Sequence, residues 1–434
     1  MLPRGFGSDV VRPIHIIVLT LCMLINILDG FDLQAIAFTS TRIMAEWSVA
    51  PGGMGLLFSA GLLGVGLGSF GLSPLADRFG RRPTILAGLA VVTMGMLAVR
   101  IATTPVELTL LRLTTGLGIG ILLPSLNTLV SEYTPERWQS LAVGIYSTGY
   151  PLGGALSGAL APGLIEHFGW RSVYVAGGSG SLVLLPLVTA LLPESLEFLL
   201  KLQPRGALRR AQRIATRLAV TPPARLPAGQ ALNVRPNPST PFKAGLARRT
   251  GLISAAFFLL WLTEFFINNW TPAILEREGL GPVASAAGGV MLTLGGIAGT
   301  LLVGVFAVRW PLVRVCVAYL GGSFVMALVF ALAGRQLPVL PVCAVLGFLL
   351  FGSAVGLYAL VARVFPLEVR ATGTGVALAF GRAGAVIGLS LGGVLIGLGW
   401  SRATYMTVLA IPVLGAACAT FALNPFARAA DGRA

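Results

Sequence analysis

The sequence predicts an all-α membrane protein with twelve transmembrane helices arranged as two halves of six. Hydrophobic residues make up 55% of its 434 residues, charged residues make up only 11%, and the mean hydropathy is +0.85. Soluble domains average about 25% charged residues, so a soluble globule and a disordered chain are both excluded. One long hydrophilic stretch, at about 193–249, divides the apolar segments six and six.

The apolar segments have the length that a bilayer requires. A hydrocarbon core about 30 Å thick needs about 20 apolar residues per helix. The first segment has no small-residue cleavage site and is longer than the apolar region of a signal peptide, so we expect a retained helix. We place the spans near 14–36, 53–74, 83–103, 106–128, 140–164, 171–192, 250–274, 283–307, 312–334, 338–362, 372–398 and 402–424.

Lys and Arg are concentrated in the loops on one side of the predicted spans. The loop after the second span holds Arg78, Arg81 and Arg82, and the loop after the tenth holds Arg363 and Arg370. Positive loops face the cytoplasm. This predicts a multi-pass protein of a bacterial-type cytoplasmic (inner) membrane with both termini in the cytoplasm. The net charge of +15 therefore reports topology and not a nucleic-acid partner.

The hydrophilic stretch 193–249 is a predicted cytoplasmic loop between an N-terminal half at 1–192 and a C-terminal half at 250–434. From 201 to 249 it carries many basic residues and no acidic residue. Its first part is amphipathic, which predicts a short helix lying on anionic headgroups, and its proline-rich second part, 222–241, predicts a flexible linker. A solvated basic tether that only sets the orientation is the alternative. The apolar face comprises Leu208, Ala211, Ile214, Ala215 and Leu218, and the basic face comprises Arg209, Arg210, Arg213 and Arg217.

Four short motifs carry a family resemblance. The first span contains two carboxylates at i, i+3, the loop after the second span has a glycine among charged residues, and the fourth and eleventh spans each embed one arginine beside glycines. In chain order the motifs read Asp29-Gly30-Phe31-Asp32, Leu75-Ala76-Asp77-Arg78-Phe79-Gly80-Arg81-Arg82, Arg112 with Gly116, Gly118 and Gly120, and Gly381-Arg382-Ala383-Gly384. Together with Pro193-Glu194-Ser195 after the sixth span, they resemble the motifs of the aromatic acid:H⁺ symporter family of the major facilitator superfamily.

This resemblance implies the major facilitator fold and a latch role for the loop after the second span. In the superfamily this loop holds the two halves together in the outward-facing state. A glycine permits a tight turn, and an aspartate can cap or pair at a helix end. The residues that receive a gating role in this way are Asp77, Arg78, Gly80, Arg81 and Arg82.

Charged residues inside the spans are candidates for proton coupling. Each costs at least about 2.5–3.5 kcal/mol near the bilayer centre, so each needs a partner or a cavity. Asp29 and Asp32 share one helix face, and a buried carboxylate can alternate between its protonated and ionised forms; one of the two can instead cap the break at Gly30. Glu264, in the seventh span, is a second proton site, a hydrogen-bond partner of the substrate or a partner of the arginine in the eleventh span. Arg112 either relays protons or holds helices together.

Arg382 is the candidate for binding a substrate carboxylate. It lies about ten residues into the eleventh span, roughly 15 Å along the helix, and a guanidinium binds a carboxylate through two parallel hydrogen bonds. Permanent pairing with another helix is the alternative. Amides and rings are expected around a flat aromatic ligand, although aromatic residues in helices also serve as packing. The candidates are Asn268, Asn269, Trp270, Tyr358 and Phe380.

The function implied by the resemblance is proton-coupled import of a benzoate- or hydroxybenzoate-like carboxylate by rocker-switch alternating access. The alternatives are another transporter of small organic acids, a drug/proton antiporter, or a receptor for aromatic acids. The sequence has no nucleophile–base pair and no metal-ligand spacing, so we expect neither an enzyme nor a metal or cofactor site. The expected partners are the aromatic carboxylate, protons and membrane lipids, and we expect a monomer that binds no nucleic acid.

Overall fold

Helices account for almost all of the described chain. The computed structural model describes residues 12–72, 74–204, 206–218, 246–332, 338–365 and 369–424, and these ranges contain no strand. The helices are α1 (Pro13–Trp47), α2 (Pro51–Leu67), α3 (Pro74–Phe79), α4 (Arg81–Ala98), α5 (Pro105–Glu132), α6 (Gln139–Ser147), α7 (Gly149–Phe168), α8 (Arg171–Leu191), α9 (Leu196–Leu202), α10 (Ala207–Leu218), α11 (Ala247–Arg277), α12 (Pro282–Arg309), α13 (Leu312–Leu332), α14 (Val339–Val364), α15 (Arg370–Gly397) and α16 (Arg402–Ala422).

Eleven helical segments of the described chain are long and apolar enough to cross a membrane. They correspond to eleven of the twelve predicted spans. Two of these segments combine an α-helix with a short turn of another helical type. A π-helical turn follows α2 and ends at Leu72, and a 3₁₀ turn follows α4 and ends at Ile101. The all-helical membrane fold predicted from composition is therefore confirmed.

The remaining predicted span, 140–164, is formed by two consecutive helices. α6 and α7 meet at Thr148, where the α-helix is interrupted. Glycines are frequent in this region and prolines interrupt it, including Pro162 inside α7, and both residue types lower the mean hydropathy below that of the other spans. The segment is present as helix even though its composition is the least apolar of the twelve.

The basic stretch forms a helix where the amphipathic pattern predicts one, but its apolar face is not free. α10 buries Ala211, Ile214, Ala215 and Leu218 inside the protein, and it packs on the preceding α9. The four arginines of the basic face are accordingly turned outward. The prediction that the apolar face lies in the headgroups is wrong, because protein already covers that face. The proline-rich linker at 222–241 lies outside the described residues.

Contacts divide the described chain into two compact units. Unit 1 comprises the described parts of 1–33, 63–153 and 171–234, and unit 2 comprises those of 34–62, 154–170 and 235–434. The borders fall inside α1, α2 and α7, whose two ends therefore belong to different units. The predicted halves at 1–192 and 250–434 are continuous segments of the chain, whereas the two units are each built from several segments. The division into two halves stays a prediction.

Glycines allow the helices of unit 1 to approach each other closely. α4 packs on α5 and α8. A Cβ atom added at Gly30 of α1 would collide with the backbone at Tyr150 of α7, and one at Gly153 of α7 would collide with the backbone at Ile27 of α1. Small residues are typical of such backbone contacts between membrane helices. The close approach of α1 and α7 fixes the rotation of α1 about its own axis, and with it the direction in which Asp29 and Asp32 point inside unit 1.

Unit 2 contains α11–α16 together with the second part of α1 and α7 and the first part of α2. The main helix pairs are α11 with α15, α12 with α14, and α13 with α16. On α2, the ring of Phe58 packs edge-on against Trp270 of α11, with ring centroids 5.0 Å apart. The Ser59 hydroxyl donates to the Val386 carbonyl at 3.1 Å and lies 2.9 Å from the Ser390 hydroxyl, both on α15.

Candidate functional site

An ion pair is buried inside unit 1. The Arg112 guanidinium of α5 donates from Nη1 to Asp32 Oδ1 of α1 at 2.7 Å, and the two side chains are 2% and 0% exposed. The same guanidinium lies over the ring of Tyr174 on α8, 5.9 Å from its centroid. Removing one partner of such a pair leaves a buried charge uncompensated. Arg112 therefore joins α5 to α1 through this pair, and which of its two predicted roles it has stays a prediction.

Asp29, one helical turn before Asp32, has no such partner. It is fully buried, and neither carboxyl oxygen has a hydrogen-bond partner among the described residues. Asp32 and Tyr146 of α6 are close enough to interact with it electrostatically. A buried carboxylate without a counter-ion or hydrogen bond is strongly disfavoured in its ionised form. The geometry therefore separates the two aspartates into one paired and one unpaired acid.

Further buried oxygen atoms surround Asp29. Asn26 donates from Nδ2 to the Tyr146 backbone carbonyl at 2.8 Å, which fixes the amide one turn before Asp29. Its own Oδ1, the Tyr146 hydroxyl and Asp32 Oδ2 have no hydrogen-bond partner among the described residues. Buried polar atoms in proteins are nearly always satisfied, by protein or by ordered water. This side of α1 is thus suited to hold a proton and the water that delivers it.

A second polar cluster lies in unit 2. Glu264 of α11 is buried, and its Oε2 has no hydrogen-bond partner among the described residues. Its carboxyl group and the Arg382 guanidinium of α15 both act electrostatically on the Tyr358 hydroxyl of α14. Arg382 is half-buried. An acid, a guanidinium and a phenol from three helices therefore interact electrostatically, and all three residues are among the predicted site residues.

Aromatic rings form a wall beside this cluster. Trp261 lies 5.5 Å from Phe257 and 6.3 Å from Tyr358, and Phe257 lies 5.3 Å from Tyr358, measured between ring centroids. These separations are typical of interacting aromatic pairs. Phe257 and Trp261 were not among the predicted site residues. Their spacing could have found them, because 257, 261 and 264 follow i, i+4, i+7 and so share one face of α11.

The other predicted ring-binding residues have different surroundings. Asn269 donates from Nδ2 to the Phe265 carbonyl of its own helix at 2.9 Å, whereas Asn268 is buried with an unsatisfied Oδ1. Trp270 is 1% exposed and donates from Nε1 to the Leu389 carbonyl at 3.2 Å, so it packs between α2, α11 and α15. Phe380 is 50% exposed. Among the predicted substrate-binding residues, Asn268 is thus the one whose buried side-chain oxygen has no hydrogen-bond partner in the described part of the chain.

The predicted gating loop is bound by a carboxylate from the short segment between α8 and α9. Glu194 accepts from the backbone N–H groups of Arg81 at 2.8 Å and Arg82 at 3.1 Å. These N–H groups belong to the first two residues of α4, and anionic groups are favoured at helix N-termini. Gly80 has φ +109°, and a Cβ atom there would lie 2.5 Å from Glu194 Oε2. The motif Pro193-Glu194-Ser195 thus fixes the loop, a role that its sequence did not reveal.

Side chains of the loop and of neighbouring helices extend this network. Asp77 pairs with Arg81 Nη2 at 2.8 Å, Arg82 donates to the Thr189 carbonyl, and Arg78 lies 5.4 Å from the ring centroid of Phe79. Ser195 donates to Glu132 Oε2 at 2.6 Å, and the Tyr133 hydroxyl donates to the Glu194 carbonyl at 2.6 Å. Burial, and then the nearby Glu132 and Glu194, raise the pKa of Tyr133 well above its ordinary value. Tyr133 therefore stays a neutral donor at physiological pH.

In the described chain, eleven membrane-length apolar helical segments, further helices between them and charges buried inside the bundle define a polytopic membrane protein. The chain belongs to the Major Facilitator Superfamily, whose family model matches residues 22–382. It is a transporter of that superfamily and not an enzyme. The family that the motifs predict is confirmed by the curated proteins described next.

Among curated proteins, the chain is 36% identical over 419 residues to the gallate transporter of Pseudomonas putida and 33% identical over 419 residues to the 4-hydroxybenzoate transporter PcaK of Pseudomonas aeruginosa; each alignment covers 94% of this chain and 91% of the relative. It is 31% identical over 405 residues to the 3-(3-hydroxy-phenyl)propionate transporter of Escherichia coli, which covers 93% of this chain and 92% of that protein.

Solved structures agree on the fold. The inward-open xylose transporter XylE from E. coli superposes with a TM-score of 0.71 at 15% identity, covering 93% of this chain and 95% of that one. A bacterial homologue of the human lysosomal transporter Spinster superposes with a TM-score of 0.67 at 18% identity, covering 98% and 97%. At these identities the likeness shows the major facilitator fold.

Proposed function

We propose that this transporter imports a hydroxylated aromatic carboxylate together with protons. The observation that carries the proposal is the cluster of Arg382, Glu264 and Tyr358 beside the ring wall of Phe257 and Trp261. Relatives with at least 31% identity over nearly the whole chain are transporters of gallate, 4-hydroxybenzoate and 3-(3-hydroxy-phenyl)propionate. Each of these compounds combines an aromatic ring, a carboxylate and at least one ring hydroxyl.

Each part of the cluster matches one part of such a substrate. The Arg382 guanidinium receives the carboxylate through charge-assisted hydrogen bonds. The rings of Trp261 and Tyr358 pack on the aromatic ring at the separations that aromatic pairs prefer. Glu264 Oε2, buried and without a partner among the described residues, accepts a hydrogen bond from the ring hydroxyl. A substrate without a hydroxyl would leave this acceptor unsatisfied, which is costly for a buried group.

Asp29 is our choice for the group that carries the coupled proton. Its carboxyl oxygens lack partners among the described residues, whereas Asp32 has the Arg112 guanidinium at 2.7 Å. An acid with a permanent counter-ion has little reason to change its protonation during transport, while an isolated buried acid binds a proton and releases it when water reaches the site. Asp32 and Arg112 then stabilise the surroundings of Asp29 without carrying the proton.

The transport cycle is a rocker-switch movement between the two six-helix halves, in a bacterial inner membrane with both termini cytoplasmic. The positive loops support this orientation. One pH unit across the membrane supplies about 1.4 kcal/mol per proton, which corresponds to tenfold accumulation of substrate at one proton per molecule. The contact of Phe58 with Trp270 and the contacts of Ser59 with α15, all inside unit 2, are the elements that such a movement must break and reform.

Uptake into proteoliposomes tests the proposal. With an acidic exterior we expect accumulation of labelled 4-hydroxybenzoate, competition by gallate and no competition by succinate. R382Q should abolish uptake because the carboxylate loses its guanidinium, whereas the matched control R309Q, which removes an exposed arginine at the end of α12, should transport normally. Better competition by succinate than by gallate would favour the organic-acid alternative, and normal uptake by R382Q would remove that residue from the site.

A further inference from the structure

A cavity lies in unit 2, away from the cluster around Arg382. It has a volume of about 790 Å³ and is situated where α1, α7 and α11 end and α12 begins. Small-molecule sites typically have volumes of about 300–1,000 Å³. None of the predicted site residues lines it. The positive-inside topology puts these helix ends on the side of the membrane opposite to the termini, which is the side from which a substrate is imported.

The lining combines one guanidinium with carboxylates that have no partner. Arg42 of α1, Glu166 of α7 and Glu276 of α11 all line the cavity, and none of them makes a hydrogen bond or an ion pair with the described residues. Arg42 and Glu166 are exposed to solvent and Glu276 is half-buried. The cavity therefore offers one free cation and two free acceptors, and it carries a net negative charge.

Two contacts hold an indole ring in place on the wall of the cavity. Trp170, 4% exposed, donates from its indole Nε1 to Glu46 Oε2 at 2.6 Å. Its ring also packs edge-on against Trp47, with centroids 5.3 Å apart. Glu46 is the fourth charged residue of the lining, and its carboxylate positions the indole through this hydrogen bond. The contacts with a ligand are therefore assigned to Arg42, Glu166 and Glu276. Phe38 supplies a second ring to the wall.

A hydroxylated aromatic acid complements this lining better than a simple anion does. Its carboxylate pairs with the Arg42 guanidinium, its ring packs on Trp170, and its hydroxyl groups donate to the carboxylates of Glu166 or Glu276. Hydrogen bonds to charged acceptors are worth about 1.5–3 kcal/mol each. Benzoate has no hydroxyl group to donate. Its carboxylate can pair with Arg42, but it is repelled by Glu166 and Glu276, so the lining disfavours benzoate.

We propose that this cavity, the outer vestibule, is a second binding site that receives hydroxylated aromatic carboxylates from outside the cell before they reach the cluster around Arg382. The proposal rests on the proposed function for the identity of its ligand. Its selectivity is for the ring hydroxyl, since Glu166 and Glu276 accept a hydrogen bond from a hydroxyl group and repel a carboxylate ligand that has no donor to offer them.

Transport kinetics test the vestibule in the full chain. We expect R42Q to raise the KM for 4-hydroxybenzoate about tenfold, the loss of one charge-assisted contact, with kcat unchanged. R100Q removes an exposed arginine that the topology places on the same side of the membrane, outside the cavity, and should behave like the wild type. The double variant E166Q/E276Q should lower the preference for 4-hydroxybenzoate over benzoate, measured as the ratio of kcat/KM values.

Equilibrium dialysis separates this proposal from the proposed function. Purified R382Q, which is disabled at the other cluster, should still bind labelled 4-hydroxybenzoate saturably, and R42Q/R382Q should not, while R100Q/R382Q should bind like R382Q. Absence of saturable binding to R382Q, or equal binding by R42Q/R382Q, overturns the vestibule even when the wild type transports aromatic acids. A wild type that fails to transport them contradicts the proposed function, and the dialysis result still decides on the cavity.

Discussion

Asp29 and Asp32 lie one helical turn apart on α1, and their surroundings differ in one respect that matters for transport. Asp32 has the Arg112 guanidinium at 2.7 Å, and Asp29 has no partner among the described residues. The i, i+3 spacing puts both on one face, so the sequence could not tell which one meets the arginine of α5. That choice depends on how α1 is rotated against α5 and α7, which the glycine contacts at Gly30 and Gly153 determine.

D29N should uncouple substrate movement from the proton gradient. Asparagine has the size of the protonated aspartic acid but cannot release a proton, so we expect exchange of labelled against unlabelled 4-hydroxybenzoate to continue while accumulation driven by a pH gradient is lost. Proteoliposome counterflow and gradient-driven uptake, measured on the same preparation, check this. Wild-type accumulation by D29N would exclude Asp29 as the proton carrier.

R112L should destabilise the protein strongly. The substitution leaves the Asp32 carboxylate buried without its counter-ion, and breaking a buried pair in this way costs about 3–5 kcal/mol. The double variant D32N/R112L removes both charges and should recover most of the lost stability, as measured by thermal unfolding in detergent. Equal destabilisation by the single and the double variant would show that Arg112 stabilises the fold through contacts other than the ion pair, such as the ring of Tyr174.

Individual helices show which parts of the structure a sequence can predict. Eleven spans follow from hydropathy because the bilayer demands length and apolar character. Three features could be seen only in the packed structure. The amphipathic pattern of α10 predicts a helix but does not tell whether lipid or protein covers its apolar face. The position of Trp270 in the sequence does not reveal that its indole N–H binds the Leu389 carbonyl. Glu194 is similar, because its role depends on the N-terminus of α4, more than a hundred residues earlier in the chain.

G80A should weaken the start of α4. The glycine has φ +109°, a conformation that costs an L-residue about 1–2 kcal/mol, and the added Cβ atom would meet Glu194 Oε2 at 2.5 Å. We expect a lower unfolding temperature, since Glu194 can no longer bind the first N–H groups of α4 in the same geometry. Gly71 is the matched control, because a Cβ atom there meets nothing within 4 Å. If G71A and G80A lose equal stability, the clamp is not what makes Gly80 necessary.

At the scale of the whole molecule, a single proton carrier has a consequence for energetics. One proton moving with one monoanion carries no net charge, so the membrane potential should not drive uptake. We expect a valinomycin-imposed potential of 100 mV to leave the accumulation of 4-hydroxybenzoate unchanged at a fixed pH gradient. With two protons per substrate, one net charge would move and 100 mV would add about 2.3 kcal/mol, about fiftyfold in accumulation. Such an increase would implicate Glu264 as a second carrier.

The rocker-switch movement can be tested where segments from both ends of the chain meet inside unit 2. Ser59 of α2 and Ser390 of α15 have their hydroxyl oxygens 2.9 Å apart, and Gly55 brings the two backbones close enough that a Cβ atom there would lie 2.8 Å from the Leu389 carbonyl oxygen. In a rocker-switch cycle α2 moves with the N-terminal half and α15 with the C-terminal half, so this contact must open once per turnover. We therefore expect S59C/S390C to form a disulfide on mild oxidation, to lose counterflow while oxidised, and to recover it on reduction.

Each single variant, oxidised in the same way, controls for the native cysteines, of which Cys22, Cys316 and Cys343 are buried and Cys418 is exposed. Both should keep wild-type counterflow, because neither can join α2 to α15. The decisive comparison is between the cross-linked double variant and the same sample after reduction, since expression level and lipid content are then identical. If the cross-linked protein exchanges 4-hydroxybenzoate at the full rate, α2 and α15 stay together throughout the cycle. Alternating access would then have to arise from bending within the halves.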